Sequence, residues 1–484
     1  MTQIIAWLNA IIWSNVLVVL IVGAGIYFTI RLRVPQIRHF GSMFRELRES
    51  THGPDGVSSF QALMMSLSAR LGTGNIAGVA TAIALGGPGA LFWMWVTAVL
   101  GMATAFCEGV LSQIYKEKHG KEMRGGPAFY LSKGTGWAWY GVVYAVIITI
   151  SYAVFLPGIH SNSISLTVDQ AWGVPPVWSV LVIVVLLFVI SIGGIKRFAT
   201  FSKTAVPFMA GAYILLAAIV LIANAQQIPA MFELIFASAF GADSVFGGLL
   251  GSAIIWGVKR GLYSNEAGQG TAAHASATAN VSHPVRQGLV QSFGVFFDTI
   301  IICTLTGVMI LITNSYNIVA KDGTEYVEYL PGVDAGAAFS QAAIDSLVPG
   351  FGASAMAIIV FFFAFTTLQY YQFASEVNLN KLLPGNVPAI WGLRFVIIAA
   401  ATYGGLAQAT TVWALGDVGI GIMTWCNIIG LIILFPKVSK ALDDYEHQRK
   451  DGIEPTFDPE ALGIERADYW VTQRAPDEST TPDR

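Results

Sequence analysis

The sequence predicts an all-α polytopic membrane protein of about eleven transmembrane helices, two of them discontinuous. Ten form a five-plus-five inverted repeat, and one extra helix precedes them. Three observations lead there. Of 484 residues, 54% are hydrophobic and only 12% charged, about half the share usual in soluble domains, and mean hydropathy is +0.61. Charge-free runs long enough to cross a bilayer recur along the whole chain. Two of these runs, five spans apart, are interrupted by glycine-rich polar clusters. A net charge of -3 leaves no electrostatic footprint for nucleic acid. Cys107, Cys303 and Cys426 sit in apolar stretches and offer neither a disulfide framework nor metal-ligand spacing. No covalently bound cofactor is expected, and nothing in the sequence sets an oligomeric state.

The first apolar run ends at Ile30, before Arg31, and lacks the basic region and small-residue cleavage site of a signal peptide, so it reads as a retained helix. The further spans are 60–83, 88–115, 138–160, 176–195, 204–224, 245–280, 285–314, 350–375, 388–408 and 412–436. They divide the chain into an N-terminal helix and basic loop (1–58), a first five-helix repeat (59–224), a second repeat with an outer capping segment at 334–345 (225–436), and a tail (437–484). The tail reads as solvated and partly disordered. Trp93, Trp95, Trp137, Trp139, Trp172 and Trp178 fall near span ends, where aromatic belts anchor helices.

Basic residues set the orientation. The loops 31–58, 116–136, 196–203, 281–286 and 376–394 carry sixteen Lys and Arg, and the alternate loops carry one, Lys321. By the positive-inside rule the N-terminus faces outward and the tail lies in the cytoplasm of a multi-pass cell-membrane protein.

Many of the 50 glycines serve close helix packing, the reading given to Gly101, Gly141, Gly211 and Gly430. Ser66–Asn75 (SLSARLGTGN) and Arg260–Thr271 (RGLYSNEAGQGT) resist that reading. Both put helix-weakening, polar residues at mid-membrane, tolerable only where protein buries them or they line a cavity. The first broken span runs inside to outside and the second outside to inside, each opening a set of five. Interrupted helices at matching positions of inverted halves mark a secondary transporter's binding site. A broken helix offers free N–H groups at one stump and free carbonyls at the other. The first suits a carboxylate and the second a cation or ammonium, so a zwitterionic amino acid with a coupling ion fits both.

Ser66–Ile83, Gly86–Trp95 (GGPGALFWMW), Gly257–Gly268 (GVKRGLYSNEAG) and Phe361–Thr367 (FFFAFTT) closely resemble the signature stretches of the alanine/glycine:cation symporter family. The likeness runs from the first helix into the tail. It implies the leucine-transporter (LeuT) type fold, sodium or proton coupling, and uptake of small neutral amino acids, alanine or glycine first. It also implies that the amides of Thr73 and Gly74 hold the substrate carboxylate and that Asn75 offers its side-chain oxygen to substrate or ion. Ser264, Asn265, Glu266, Gly268, Gln269 and Gly270 would meet the ammonium and side chain. A sodium site would use the carbonyls of Ser68, Leu71 and Phe363 with the hydroxyls of Thr366 and Thr367. After Thr367 the chain departs from the family's glycine- and tyrosine-rich run, reading Leu368–Glu376 as LQYYQFASE. Gln369 and Gln372 there are candidates to line the inner exit path or alter substrate preference.

Ionisable residues inside spans are functional suspects. Asp298 either supplies charge to sodium or an ammonium, or pairs with Arg70. Glu266 orients the second break or pairs with Lys259 or Arg260. Glu108 reads as a helix–helix or interfacial contact, Asp417 as near the outer surface, and His160, His274 and His283 as interfacial. Proton coupling and a larger substrate such as glutamine are the alternatives within transporters. A channel lacks repeated filter motifs or charged rings, and an intramembrane enzyme lacks any catalytic motif.

Overall fold

The computed structural model describes residues 2–48, 56–120, 122–191, 194–243, 246–319 and 325–474. Among them, eight helices are long and apolar enough to cross a membrane: Gln3–Arg31, Gly89–Ile114, Ala138–Trp172, Arg197–Ala223, Pro284–Ile312, Phe351–Leu382, Val387–Leu406 and Ala409–Lys450. The remaining expected spans are the short apolar helix Pro176–Ile190 and the two interrupted ones. Pro176–Ile190 leaves Leu181, Val182, Val185, Phe188 and Val189 exposed, the apolar face a bilayer would cover.

The first interrupted helix begins at a capping box. Ser58 Oγ accepts from Gln61 N–H at 3.1 Å, and Gln61 Oε1 accepts from Ser58 N–H at 3.1 Å. The half-helix Ser59–Arg70 stops at Leu71, whose ψ of 77° leaves the helical range. Residues Gly74–Gly78 restart the chain as a π-helical turn that runs into Val79–Gly86. The second, Leu250–Asn265, ends at Glu266 with φ 56°, followed by Gly268 (φ 97°) and Gly270 (φ 81°), before the short helix Ala273–Ala277. Only glycine adopts the last two conformations without strain.

The two interrupted helices pack against each other where Ser252 Oγ donates to Leu85 O at 2.6 Å, and at the opposite end a backbone bridge joins them. Val57 N–H donates to Thr278 O and Asn280 N–H to Val57 O, both at 3.0 Å. Close packing holds the second interrupted helix against Gly89–Ile114. A Cβ on Gly257 would come within 2.6 Å of Ala90 O, so only a bare backbone fits. Gly211 is different from what the sequence suggests: it is exposed with nothing within 4 Å of a built Cβ, so packing does not explain it. The expected capping segment is the helix Ala337–Asp345, packed against Phe351–Leu382 and the restart of the first break.

The tail corrects the sequence reading. The last span does not stop at the membrane but continues as one 42-residue helix to Lys450. Beyond it, Phe457 and Trp470 are buried. Phe457 N–H donates to Ser282 O at 3.1 Å and Trp470 Nε1 to Gln113 O at 2.9 Å. Aromatic anchors well outside any apolar run, Phe457 and Trp470, overcame a composition that looked solvated. Residues 475–484 of that stretch lie outside the described residues.

Beneath the tail lies a buried ion cluster. Glu46, fully buried, accepts from Arg286 Nη1 at 2.9 Å and from the Tyr445 hydroxyl at 2.8 Å, and Arg286 also binds Glu454. Arg286→Met leaves Glu46 uncompensated, and a loss of about 3–5 kcal/mol is expected. Thermal unfolding in detergent, with protease cleavage of the tail as a second readout, measures it; an unshifted melting temperature would contradict this account.

Candidate functional site

The two interruptions meet. A Cβ built on Gly74 would sit 2.9 Å from Tyr263 Cδ1 and 3.2 Å from Ser264 Cα, so the first break passes against the end of the second half-helix. Between them stands Asp298, fully buried in a π-helical stretch, Phe296–Cys303, of the next span. Such π turns frequently mark functional positions. Asn75 Nδ2 donates to Asp298 Oδ1 at 2.6 Å; Ser264 Oγ donates to Oδ2 at 2.9 Å, as does Thr299 Oγ1 at 2.7 Å. Arg70 forms no ion pair with Asp298; its Nη1 donates to Gln291 O at 3.1 Å.

At the first break the N–H groups of Thr73, Gly74 and Asn75 open the restarted helix and have no hydrogen-bond acceptor among the described residues. They form the positive stump expected to take a carboxylate. Asn75 Oδ1, expected to face substrate or ion, instead accepts from Gly72 N–H at 3.0 Å, so its side chain shapes the break and holds Asp298. Beside this stump, Tyr263 OH and Asn265 Nδ2 are buried without a partner.

The turn after the second half-helix is fastened from outside. Gly268 and Gly270 N–H donate to Glu108 Oε1 at 2.9 and 2.8 Å, and Asn427 Nδ2 donates to the same oxygen at 2.7 Å. Asn265 Oδ1 accepts from Ala267 N–H at 3.0 Å, and Gln269 Nε2 returns to Leu262 O at 2.8 Å. The Glu266 carboxylate accepts from Thr271 Oγ1 at 2.7 Å, with the Tyr152 hydroxyl at 3.5 Å.

The expected cation ligands also converge. Thr367 Oγ1 lies 3.0 Å from Ser68 O and 2.9 Å from Phe363 O; Thr366 Oγ1 lies 3.4 and 3.0 Å from the same two carbonyls. Leu71 caps the half-helix beside them, and a Cβ on Gly72 would come within 2.8 Å of Thr367 Oγ1. The donor set is all oxygen, the chemistry of a hard cation.

Several charged and titratable residues stand elsewhere than the sequence suggested. Lys259 and Arg260 do not neutralise Glu266: they pair with Asp417, at 2.6 and 3.2 Å. Asp417 is therefore buried rather than facing water. His160 is no interfacial residue, because its span continues through a π turn at Ser151–Phe155 to Trp172. It is buried mid-span, with Nε2 3.0 Å from Tyr371 OH and Nδ1 3.5 Å from Thr73 Oγ1. His274 and His283 are likewise buried, against Asn378 and Asp444 respectively. Tyr371, Cys303 and Asn427 gave no sequence signal, since single residues in apolar helices show no pattern until the helices are packed, and Tyr263 fell inside the second cluster without being singled out. Gln369 and Gln372 line a cavity of about 420 Å3 on the side of the basic loops.

Comparison with known proteins agrees with this geometry. The profile of the sodium:alanine symporter family matches residues 1–459. A sodium/proton-dependent alanine carrier protein of Bacillus sp. (strain PS3) is 48% identical over 419 residues, covering 86% of this chain and 94% of that one. The sodium/alanine symporter AgcS of Methanococcus maripaludis is 37% identical over 455 residues, covering 92% and 97%. Among solved structures, a Na+-coupled sialic acid symporter in a substrate-bound outward-open state superposes with a TM-score of 0.52 at 13% identity, covering 99% of both chains. That likeness concerns the fold.

Glu108 is the residue whose geometry most exceeds its sequence signal. Glu108→Leu removes the acceptor for two backbone donors and the Asn427 amide at once. Uptake is expected to fall at least tenfold while the protein still inserts and elutes as a monodisperse peak; wild-type transport would show that the turn needs no such clamp.

Proposed function

The chain belongs to the sodium:alanine symporter family, and from that premise we propose that it takes up alanine, and glycine as a smaller homologue, by sodium-coupled alternating access across the cell membrane. Like its family it is a transporter and not an enzyme. The observation that carries the reading is the meeting of two interrupted helices around unpaired amides and a buried carboxylate.

On this reading the amides of Thr73 and Gly74 receive the substrate carboxylate. Ser264 and the turn Asn265–Gly270, with Glu266 beside it, face the ammonium and the short side chain. Gly74 is pressed so closely against Tyr263 and Ser264 that it admits no side chain of its own, and the preference for a small amino acid rests on the family. Sodium sits between the carbonyls of Ser68, Leu71 and Phe363 and the hydroxyls of Thr366 and Thr367. Asp298 ties Asn75 to Ser264, so that the carboxylate-binding and ammonium-binding stumps are set relative to one another. Asn75 acts by positioning and Asp298 as the charge that the site is arranged around.

The two interrupted helices and Pro176–Ile190 add to the eight uninterrupted spans to give the eleven-helix, LeuT-type arrangement. In it the repeats are 59–224 and 225–436, the N-terminus is outside and the tail cytoplasmic. One sodium entering through 100 mV supplies about 2.3 kcal/mol, and a tenfold gradient about 1.4 more. One ion thus supports roughly 500-fold accumulation. A proton is the alternative coupling ion, favoured by the name of the PS3 relative.

Counterflow of labelled alanine in liposomes, with and without sodium and with an imposed pH gradient, tests the coupling. Uptake that follows pH and ignores sodium would remove the sodium assignment. Asn75→Ala is expected to abolish uptake in an inserted, folded protein. Thr367→Ala is expected to raise the half-saturating sodium concentration about tenfold and the alanine KM far less, as loss of one ion ligand should; equal shifts in both would argue against its place in the cation site.

A further inference from the structure

Gln369 and Gln372, which depart from the family pattern, lie on one stripe of the Phe351–Leu382 helix. Thr366, Gln369, Gln372, Phe373 and Glu376 are spaced three and four apart and so share a face. Gln369 stands one turn, about 4.5 Å of rise, beyond Thr366 toward the basic loops. From there the stripe lines the 420 Å3 cavity, whose other walls include Arg124, Arg197 and Phe198. That volume is within the range of small-molecule sites.

The polar groups around this cavity are satisfied except at Gln369, at Arg197 and at the Nε of Arg124. Glu376 holds Arg394 at 2.7 Å, and Glu122 holds Arg124 at 3.0 Å. Gln372 uses both ends of its amide, donating to Glu376 at 2.8 Å and accepting from Ser191 at 3.0 Å. Gln369 is 4% exposed, and neither Oε1 nor Nε2 has a partner. Arg197, at the exposed rim, has no ion-pair partner among the described residues. With the two pairs cancelled, the lining is left with one positive charge.

We propose that this cavity is a second, transit subsite for the zwitterionic amino acid on the side of the basic loops. The Gln369 amide donates from Nε2 to the carboxylate and accepts the ammonium at Oε1, and Arg197 draws the carboxylate inward from the mouth. A bare cation would use only Oε1, leave Nε2 buried and unpaired, and meet the Arg197 charge; a zwitterion satisfies both amide atoms. The proposal rests on the transport reading above and adds to it a site for the leaving substrate. Gln369 then governs release to the inside, whereas the interrupted helices govern capture.

The test is sodium-driven alanine uptake into proteoliposomes of the full chain, with alanine loaded inside as a trans-inhibitor. Gln369→Met keeps the length of the side chain and removes the amide. It is expected to raise the internal alanine concentration for half-inhibition about tenfold, with external KM and sodium dependence within twofold of wild type. Arg197→Gln, at the rim, gives a second reading and is expected to shift the same quantity about threefold in the same direction. Unchanged internal half-inhibition in both variants would overturn the proposal. A shift in sodium dependence without one in internal alanine would do so too, assigning the amide to the cation. Wild-type protein that takes up no alanine with sodium would instead remove the transport reading, and this one with it.

Discussion

Everything at the centre of this molecule turns on one buried carboxylate. Asp298 is wholly removed from solvent, and its two oxygens take donors from three separate elements: Asn75 on the first interrupted helix, Ser264 on the second, and its own neighbour Thr299. An uncompensated charge at that depth would cost several kcal/mol. The sequence answers with hydrogen-bond donors and no ion-paired arginine, which leaves the negative charge available to whatever cation arrives. The same arrangement dictates Gly74. The donors reach Asp298 only if the two backbones approach so closely that a Cβ would stand 2.9 Å from Tyr263.

The remaining buried acids follow a common plan with an uneven result. Glu108 grips the turn after the second half-helix, and Asp417 holds Lys259 and Arg260 within that half-helix. Asn427 joins the first of these, and like Asp417 it belongs to Ala409–Lys450. The second interrupted helix is thus bolted to continuous helices at both its polar ends. The first half-helix, Ser59–Arg70, is held by threonine hydroxyls, the Val57 bridge and a single hydrogen bond from Arg70. Neutral hydrogen bonds exchange with water at small net cost, whereas buried ionic ones do not. The first half-helix, whose charged tie is the Arg70 hydrogen bond, therefore has fewer buried ionic bonds to its surroundings than the second.

What the sequence made legible is what depends on local pattern. Apolar run length placed Gly89–Ile114 and Pro284–Ile312 to within two residues, and the polar glycine clusters placed both interruptions. Helix ends set by a tertiary contact were misjudged. The span thought to close at His160 continues to Trp172, which moves a histidine from the interface to the side of Thr73. Ion-pair partners were beyond local reach for the same reason: Arg260 and Asp417 stand 157 residues apart. In the tail, composition described most residues, which are exposed, but missed the few anchors such as Trp470 that dock it on a complementary surface.

The threonine pair illustrates how a weak motif gains meaning from packing. Threonines in a helix commonly bond back to the carbonyl three or four residues earlier, and both Thr366 and Thr367 do so with Phe363. That alone would place them as ordinary helix residues. Their hydroxyls, however, also reach Ser68 O on a different helix, at 3.4 and 3.0 Å. Two hydroxyls facing two carbonyls form a ring of oxygens in which each proton has a choice of acceptor. A monovalent cation entering that ring would be met by the hydroxyls turning their lone pairs inward. Since one of the carbonyls lies near the end of the first half-helix, a cation held in the proposed ring would couple its own occupancy to the position of that half-helix.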